Sequence, residues 1–274
     1  LFSLFWVVEA AVNEGSNAMR VTGRQAAAVP SWRRGLAELW RRGALDWNLS
    51  RRAVLWLAGA PFLIAAAGVL AALVGKDVYK WFTGEDRFAE TLQVVCYALA
   101  LGFCMVVCAR LWRDGRRGLA LLYVGVACGL IFMVGEELSW GQRIFGWGTP
   151  AAFQDVNKQG QTNLHNIYGV GATFKWLQLL VGAYGTLMPL VVLRSRSLDR
   201  YRETLTYLAP HFTLIGYFVL LFVWRIYRNL VPEPKAFYFV IADYNEVMEL
   251  ALAMGVALFM WFLVRQGSGR RDMS

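Results

Sequence analysis

The stretch Ala53–Val74 reads AVLWLAGAPFLIAAAGVLAALV and contains no charged residue. A helix needs an uninterrupted apolar run of about 18 residues or more to cross the hydrocarbon core of a bilayer. Outward from this run the pattern recurs at Glu90–Ala109, Gly118–Gly135, Phe174–Leu193, Tyr207–Trp224 and Glu246–Val264. The expected fold is all-α: a polytopic membrane protein of six transmembrane helices. The third and fifth spans are short and must stand nearly upright or lean on neighbours. Pro189 falls inside the fourth. Pro210 falls in the first turn of the fifth, where a missing N–H costs least. With 57% of its 274 residues hydrophobic and only 17% charged, the chain divides into a cytoplasmic N-terminal segment (1–52), a six-helix transmembrane domain (53–264) and a cytoplasmic tail (265–274).

The net charge of +9 does not point to nucleic acid, because the basic residues follow the topology. Arg20, Arg24, Arg33, Arg34, Arg41, Arg42, Arg51 and Arg52 precede the first span, and alternate connectors hold most of the rest. Basic connectors favour the cytoplasmic side. Both termini are therefore expected inside and three loops outside. Trp56, Trp81, Trp112, Trp176, Trp224 and Trp261 fall near span ends, the level where indoles settle in membranes. Cys96, Cys104, Cys108 and Cys128 all lie in spans and read as small packing residues, with no disulfide framework. Residues 1–30 are expected to be weakly structured; their apolar start, Leu1–Val12, lacks the basic flank of a signal peptide. Ser31–Leu49 sets Trp32, Leu36, Leu39 and Trp40 at helical spacing between arginines. It reads as an amphipathic interfacial helix on the inner leaflet, with docking on a partner as the alternative. Gly125-x-x-x-Gly129 permits close helix approach and would make the third span central.

The acidic residues form a second pattern. Asp77, Glu85, Asp86, Glu90, Glu136, Glu137, Asp155, Glu233, Asp243, Glu246 and Glu249 all fall in outer segments or at the span ends facing them. An ionisable group at such a depth needs a partner or a water-filled cavity. The densest run is Gly135-Glu136-Glu137-Leu138-Ser139-Trp140-Gly141-Gln142-Arg143. Two carboxylates at a helix C-terminus oppose the helix dipole, so helix stability does not place them there. They project about 100° apart and should serve different partners, and Arg143 is placed to neutralise one of them. Asn157, Gln159, Asn163 and Asn166 supply amide donors and acceptors in the same loop, and His165 adds an acid, base or ligand group. Asp243, Glu246 and Glu249 form a drifting stripe, and Asp86 with Glu90 forms an i, i+4 pair. If spans two, three and six are neighbours, these carboxylates meet. The plainer alternative is an exposed ionic network with Arg87, Arg225, Arg228 and Lys235. His211, near the inner end of the fifth span, lies ~30 Å from this group, so a two-histidine metal site is not expected and no metal ligands are assigned, while a hard cation on the carboxylates stays open. No Walker loop or dinucleotide fingerprint points to a cofactor.

The runs Glu136-Glu137-x-Ser139-Trp140-Gly141-Gln142-Arg143, Thr149-Pro150, Asn157-x-Gln159 and Asn163-Leu164-His165-Asn166, preceded by Glu85-Asp86…Glu90, resemble the signature of an uncharacterised family of bacterial multi-pass membrane proteins. The family carries an acidic residue where Gln161 stands, so one carboxylate is absent. The resemblance covers residues 85–166 and implies a shared site in the bacterial inner membrane, without implying a reaction. Three functions are expected in this order. The first is an accessory or scaffold subunit of a larger membrane complex, with membrane lipids and other membrane proteins as partners. The second is a membrane-embedded enzyme on a lipid or lipid-linked substrate, with Glu136 or Glu137 as base, His165 as acid or base, and Arg143 holding an anionic headgroup. The third is a cation- or proton-coupled transporter.

Overall fold

The computed structural model describes residues 31–84, 86–157, 160–164, 167–232, 234 and 237–268. His165, Gln159 and Asn166 lie outside the described residues, as do Glu85, Glu233 and Lys235. The architecture is all-α; among the described residues the only β pairing is one bridge between Asn157 and Ile167. Five helices are long and apolar enough to cross a membrane, or six if one bent pair counts as a single span. Large apolar side chains such as Leu63, Leu73, Val106, Leu121 and Leu180 face outward along them. Outward leucine and valine along several long helices suit hydrocarbon, so the chain is a multi-pass membrane protein.

Helix α1 (Ser31–Trp47) leads into the bundle. Its exposed Glu38 accepts bonds from Arg41 at 2.7 Å and Arg42 at 3.2 Å, and those guanidiniums hold its carboxyl down at about 2. The helix ends on Trp47, buried against Trp261 and Phe262, whose indole N–H donates to Thr213 Oγ1 at 2.9 Å. Its C-terminal end thus docks on the chain's own bundle.

Helix α2 (Arg51–Val74) is capped by Ser50 Oγ, which accepts from Ala53 N. It is followed by the short α3 (Lys76–Thr83). Helices α4 (Phe88–Arg113) and α5 (Arg117–Glu137) form a tight hairpin, and α11 (Tyr238–Ser268) packs along α4. Small side chains make that contact close: Ala100, Cys104, Ala120, Ala251 and Ala253 are all buried.

Two single-turn helices, α6 (Gln142–Phe145) and α7 (Ala151–Gln154), lie in the loop that follows α5, and α8 (Val170–Arg194) and α10 (Ile215–Leu230) pack as a second pair. A Cβ at Gly182 would sit 2.9 Å from Phe222 N, and one at Gly185 would sit 2.1 Å from Phe218 Cδ1. This is where the bundle uses glycine for close approach. Gly125 and Gly129 do not serve that purpose: an added Cβ at either meets nothing within 4 Å, so the expected glycine seam on α5 is not a contact among the described residues.

The fifth span departs from its expected form. It breaks into α9 (Arg202–Leu208), a 3₁₀ turn (Phe212–Leu214) and α10, with a 47° bend between the two halves. Pro210 has no N–H to donate and drives the preceding Ala209 into an extended conformation (φ −104°, ψ 131°), so the helix ends before it instead of running through. The sixth span also differs. It begins at Tyr238, which places Asp243, Glu246 and Glu249 along the helix, not at its opening.

The helices alternate in direction, and this sorts the charge. Arg51, Arg113, Arg117, Arg194 and Arg265 gather at one end of the bundle. Glu90, Glu137 and Glu246 lie toward the other.

Candidate functional site: a carboxylate cluster beneath a braced loop

Two adjacent glutamates end α5, and they have different surroundings. Glu136 is 1% exposed. Its Oε1 accepts from the Trp140 indole N–H at 2.7 Å, and its Oε2 accepts from Leu164 N at 2.8 Å. It thereby ties the start of the loop to its far side. The backbone between these points is strained: Ser139 (φ 46°) and Trp140 (φ 52°) both sit in the left-handed region, followed by Gly141 at φ 98°. Gly141 adopts that conformation freely, whereas Ser139 and Trp140 do so at a cost of order 1–3 kcal/mol each. The bond to Glu136 and the edge contact of Trp140 on Phe132 (5.9 Å) offset that cost.

Most other described polar side chains of the loop bond within it, although Thr162 Oγ1 is buried without a partner among the described residues. Asn157 Nδ2 donates to Asn163 Oδ1 at 2.9 Å and to Asn163 O at 2.8 Å. Asn163 Nδ2 donates to Gln161 Oε1 at 2.8 Å and to Ser139 Oγ at 3.5 Å. Gln142 Nε2 donates to Thr149 Oγ1 at 2.9 Å, while its Oε1 accepts from Thr162 N at 2.8 Å. Ser139, Asn157 and Asn163 are buried. These amides satisfy the backbone and side chains of a loop that has almost no regular structure. On its outside Ile144, Phe145 and Trp147 are exposed, with the Phe145 and Trp147 rings stacked at 5.3 Å.

Glu137 points elsewhere. It is 6% exposed, yet its carboxylate makes no hydrogen bond to any described residue. Its electrostatic neighbours are Glu249, Glu90, Arg143 and Glu136. Glu246 in turn neighbours Glu249, Glu137 and Glu90. Helices α4, α5 and α11 therefore bring Glu90, Glu137, Glu246 and Glu249 together.

Arg143 does not bind the Glu137 carboxylate. Its guanidinium pairs with Asp86 and with Glu90 (3.4 Å), and it donates to the Glu137 carbonyl at 2.7 Å. On the other flank Glu249 Oε1 accepts from Gln178 at 2.8 Å, from Arg225 at 3.2 Å and from Asn245. Gln93 is fully buried and donates to Glu246 O and Oε2 at 3.1 Å each, while its own Oε1 has no partner. Asp243 leaves the group and pairs with Lys80 of α3 at 3.3 Å. Among the described residues no group of His, Cys, Asp and Glu has the geometry to hold a metal ion.

Gln93 and Gln178 complete the cluster although they do not stand out in the sequence, which marks Arg225 only as a partner in an exposed network. Gln93 follows Glu90 by three positions on one face of α4, and Gln178 and Arg225 interrupt otherwise apolar spans, which is the signal that marks them. Arg225 is 4% exposed, so its pair with Glu249 is internal and not part of a solvated network.

No family model, curated protein or solved structure matches this chain. The class that its fold defines is an all-α, multi-pass membrane protein with a buried carboxylate group at one end.

Proposed function

We propose that this chain is an accessory, scaffolding subunit of a larger complex in a bacterial inner membrane. In this reading both termini and the arginine end face the cytoplasm, and the braced loop faces outward. One observation supports it: the signature side chains Glu136, Ser139, Gln142, Asn157 and Asn163 are engaged in hydrogen bonds within the loop itself, which leaves a stiff cap with Ile144, Phe145 and Trp147 on its rim. A catalytic loop keeps polar groups free for a substrate; a docking platform keeps its shape and offers apolar rings. The resemblance to a bacterial membrane family agrees with this reading. The test is purification from native membrane after photocrosslinking through residue 145 or 147. Adducts to another spanning protein, lost in Phe145→Asp, support the reading. A lone monomer by native mass, with no adducts, rejects it.

A second reading rests on Glu137. A buried carboxylate without a hydrogen bond to any described residue, beside three others, suits acid–base or cation-handling chemistry on a substrate entering from the membrane surface. Arg143 is not its anion clamp, because Asp86 and Glu90 already occupy the guanidinium. Here Glu137→Gln removes function while the complex and the fold persist. Under the scaffold reading the same variant assembles and works.

A further inference from the structure

At the arginine end, a cavity of about 490 Å³ sits in the elbow of the broken span. Its polar lining includes Arg42, Asp46, Arg202 and His211, and its apolar lining includes Leu193 and Phe262. The volume lies in the range of small-molecule sites. We propose that this cavity binds the headgroup of an anionic phospholipid.

The bend explains why the space exists. Pro210 turns α9 away from the line of α10, and the wedge left open falls between the ends of α8 and α11. The floor is rigid. Trp47 donates to His211 Nδ1 at 3.1 Å, His211 Nε2 meets Asp46 Oδ2 at 3.1 Å, and Gln266 Nε2 donates to Asp46 O at 2.6 Å. Helix α1 is thereby held across one side as a wall.

Charge and depth select the ligand. Arg42 and Arg202 are both exposed; among the described residues Arg42 meets one carboxylate, bonding through Nε to Glu38 at 3.2 Å, and Arg202 meets one, Asp199 at 3.9 Å. A guanidinium has five donors, so most of theirs remain for a phosphate. The spans end here, at the level where headgroup meets acyl chain, and the Leu193 side offers an apolar surface to the chain beneath. A polar mouth with two cations above an apolar wall matches a phospholipid better than a free anion, which has no use for the wall.

The full-length protein in detergent is titrated with phosphatidylglycerol and with phosphatidylcholine of the same acyl chains, and separately with inorganic phosphate, and bound lipid is read by native mass spectrometry. One phosphatidylglycerol per chain is expected, with phosphatidylcholine and phosphate far weaker. Each cation near the surface contributes ~1 kcal/mol, so the Arg42→Gln, Arg202→Gln double variant should bind about 30-fold more weakly. Arg113→Gln with Arg117→Gln, at the same end but outside the lining, should bind as wild type. Leu193→Asn should weaken lipid binding while leaving phosphate unchanged. Equal loss in the two arginine pairs, unchanged binding in the lining pair, or phosphate binding as tight as lipid would each overturn the proposal.

Discussion

Replacing Glu136 by Gln probes whether one buried carboxylate holds the signature loop. The side chain is 1% exposed and, among the described residues, accepts N–H bonds from Trp140 at 2.7 Å and Leu164 at 2.8 Å. Hydrogen bonds to a charged group contribute ~1.5–3 kcal/mol each. Gln keeps one acceptor oxygen and turns an NH₂ toward the other donor. The loss should therefore be about 2 kcal/mol in the free energy of opening the loop, roughly 30-fold in the population of open states. The Leu164 amide reports this directly, because its proton is in one of the two bonds. In detergent-solubilised protein its hydrogen exchange should quicken by that factor while amides in mid-α4 stay protected. Trp140→Phe deletes the other bond and keeps a ring against Phe132. Because both changes remove the Trp140–Glu136 bond, the double variant should cost less than the sum by about 1.5 kcal/mol. A Leu164 amide exchanging at the wild-type rate in Glu136→Gln, or strict additivity of the two changes, would refute the argument that Glu136 is the loop's tie.

Three further outcomes are expected. Arg225→Met should destabilise the protein by about 3–5 kcal/mol in thermal unfolding in detergent, since it leaves Glu249 inside the bundle without its cation; Arg225→Met with Glu249→Met should recover most of that. Gly182→Ala forces a Cβ to 2.9 Å from backbone nitrogen at Phe222, which cannot turn aside, and should cost about 1–3 kcal/mol in the same assay, whereas Gly125→Ala meets only open space and should be neutral or slightly stabilising. Glu38 has its folded pKa depressed to about 2 from 4.5 by its bonds to Arg41 and Arg42, so its support for α1 is present above pH 4.5 and lost as pH falls toward 2. A peptide spanning residues 31–49 on anionic vesicles should keep its helical circular dichroism from pH 7 to 5 and lose part of it below 4, and Glu38→Gln should remove that acid step.

Sequence alone located the spans because an apolar run of bilayer length has few other uses. Two features escaped it. The break at Pro210 could not be separated from a tolerated first-turn proline without knowing that α9 and α10 diverge. The extra turns at the start of α11 mix Phe239, Val240 and Ile241 with Asp243 and Asn245, so hydropathy falls there although the helix continues. The acidic stripe was legible as spacing, and its split follows from helix geometry. Steps of three residues turn the side chain by about 60° each time, so Asp243 and Glu249 differ by about 120°. That rotation brings Asp243 to Lys80 on α3 and Glu249 to Gln178 and Arg225 on α8 and α10. The glycine pair at 125 and 129 shows the opposite error: a small residue permits close approach, but the pattern does not say that a neighbour takes the opening.

The charge around Glu137 limits what the site can accept. Asp86, Glu90, Glu137, Glu246 and Glu249 converge there, and the guanidiniums near them are Arg143 and Arg225, with Arg228 beside the latter. Arg143 is committed to Asp86 and Glu90, and Arg225 to Glu249 and Gln178. Neither can swing to a phosphate without abandoning a carboxylate in surroundings that screen charge poorly. An anionic headgroup would therefore meet carboxylate oxygens before any free donor. A cationic group meets the reverse: Glu137 has no hydrogen bond of its own among the described residues, and Gln93 Oε1 beside Glu246 is an unused acceptor. This condition bears on the second reading, where it selects an amine-bearing substrate; the scaffold reading docks through the exposed Phe145 and Trp147 and does not call on Glu137. The anion-holding side chains are at the far end, in the elbow at Pro210. The molecule thus divides its two electrostatic tasks along the bundle axis, and a Glu137→Gln variant that weakens binding of a cationic substrate should leave anionic lipid bound at the opposite end untouched.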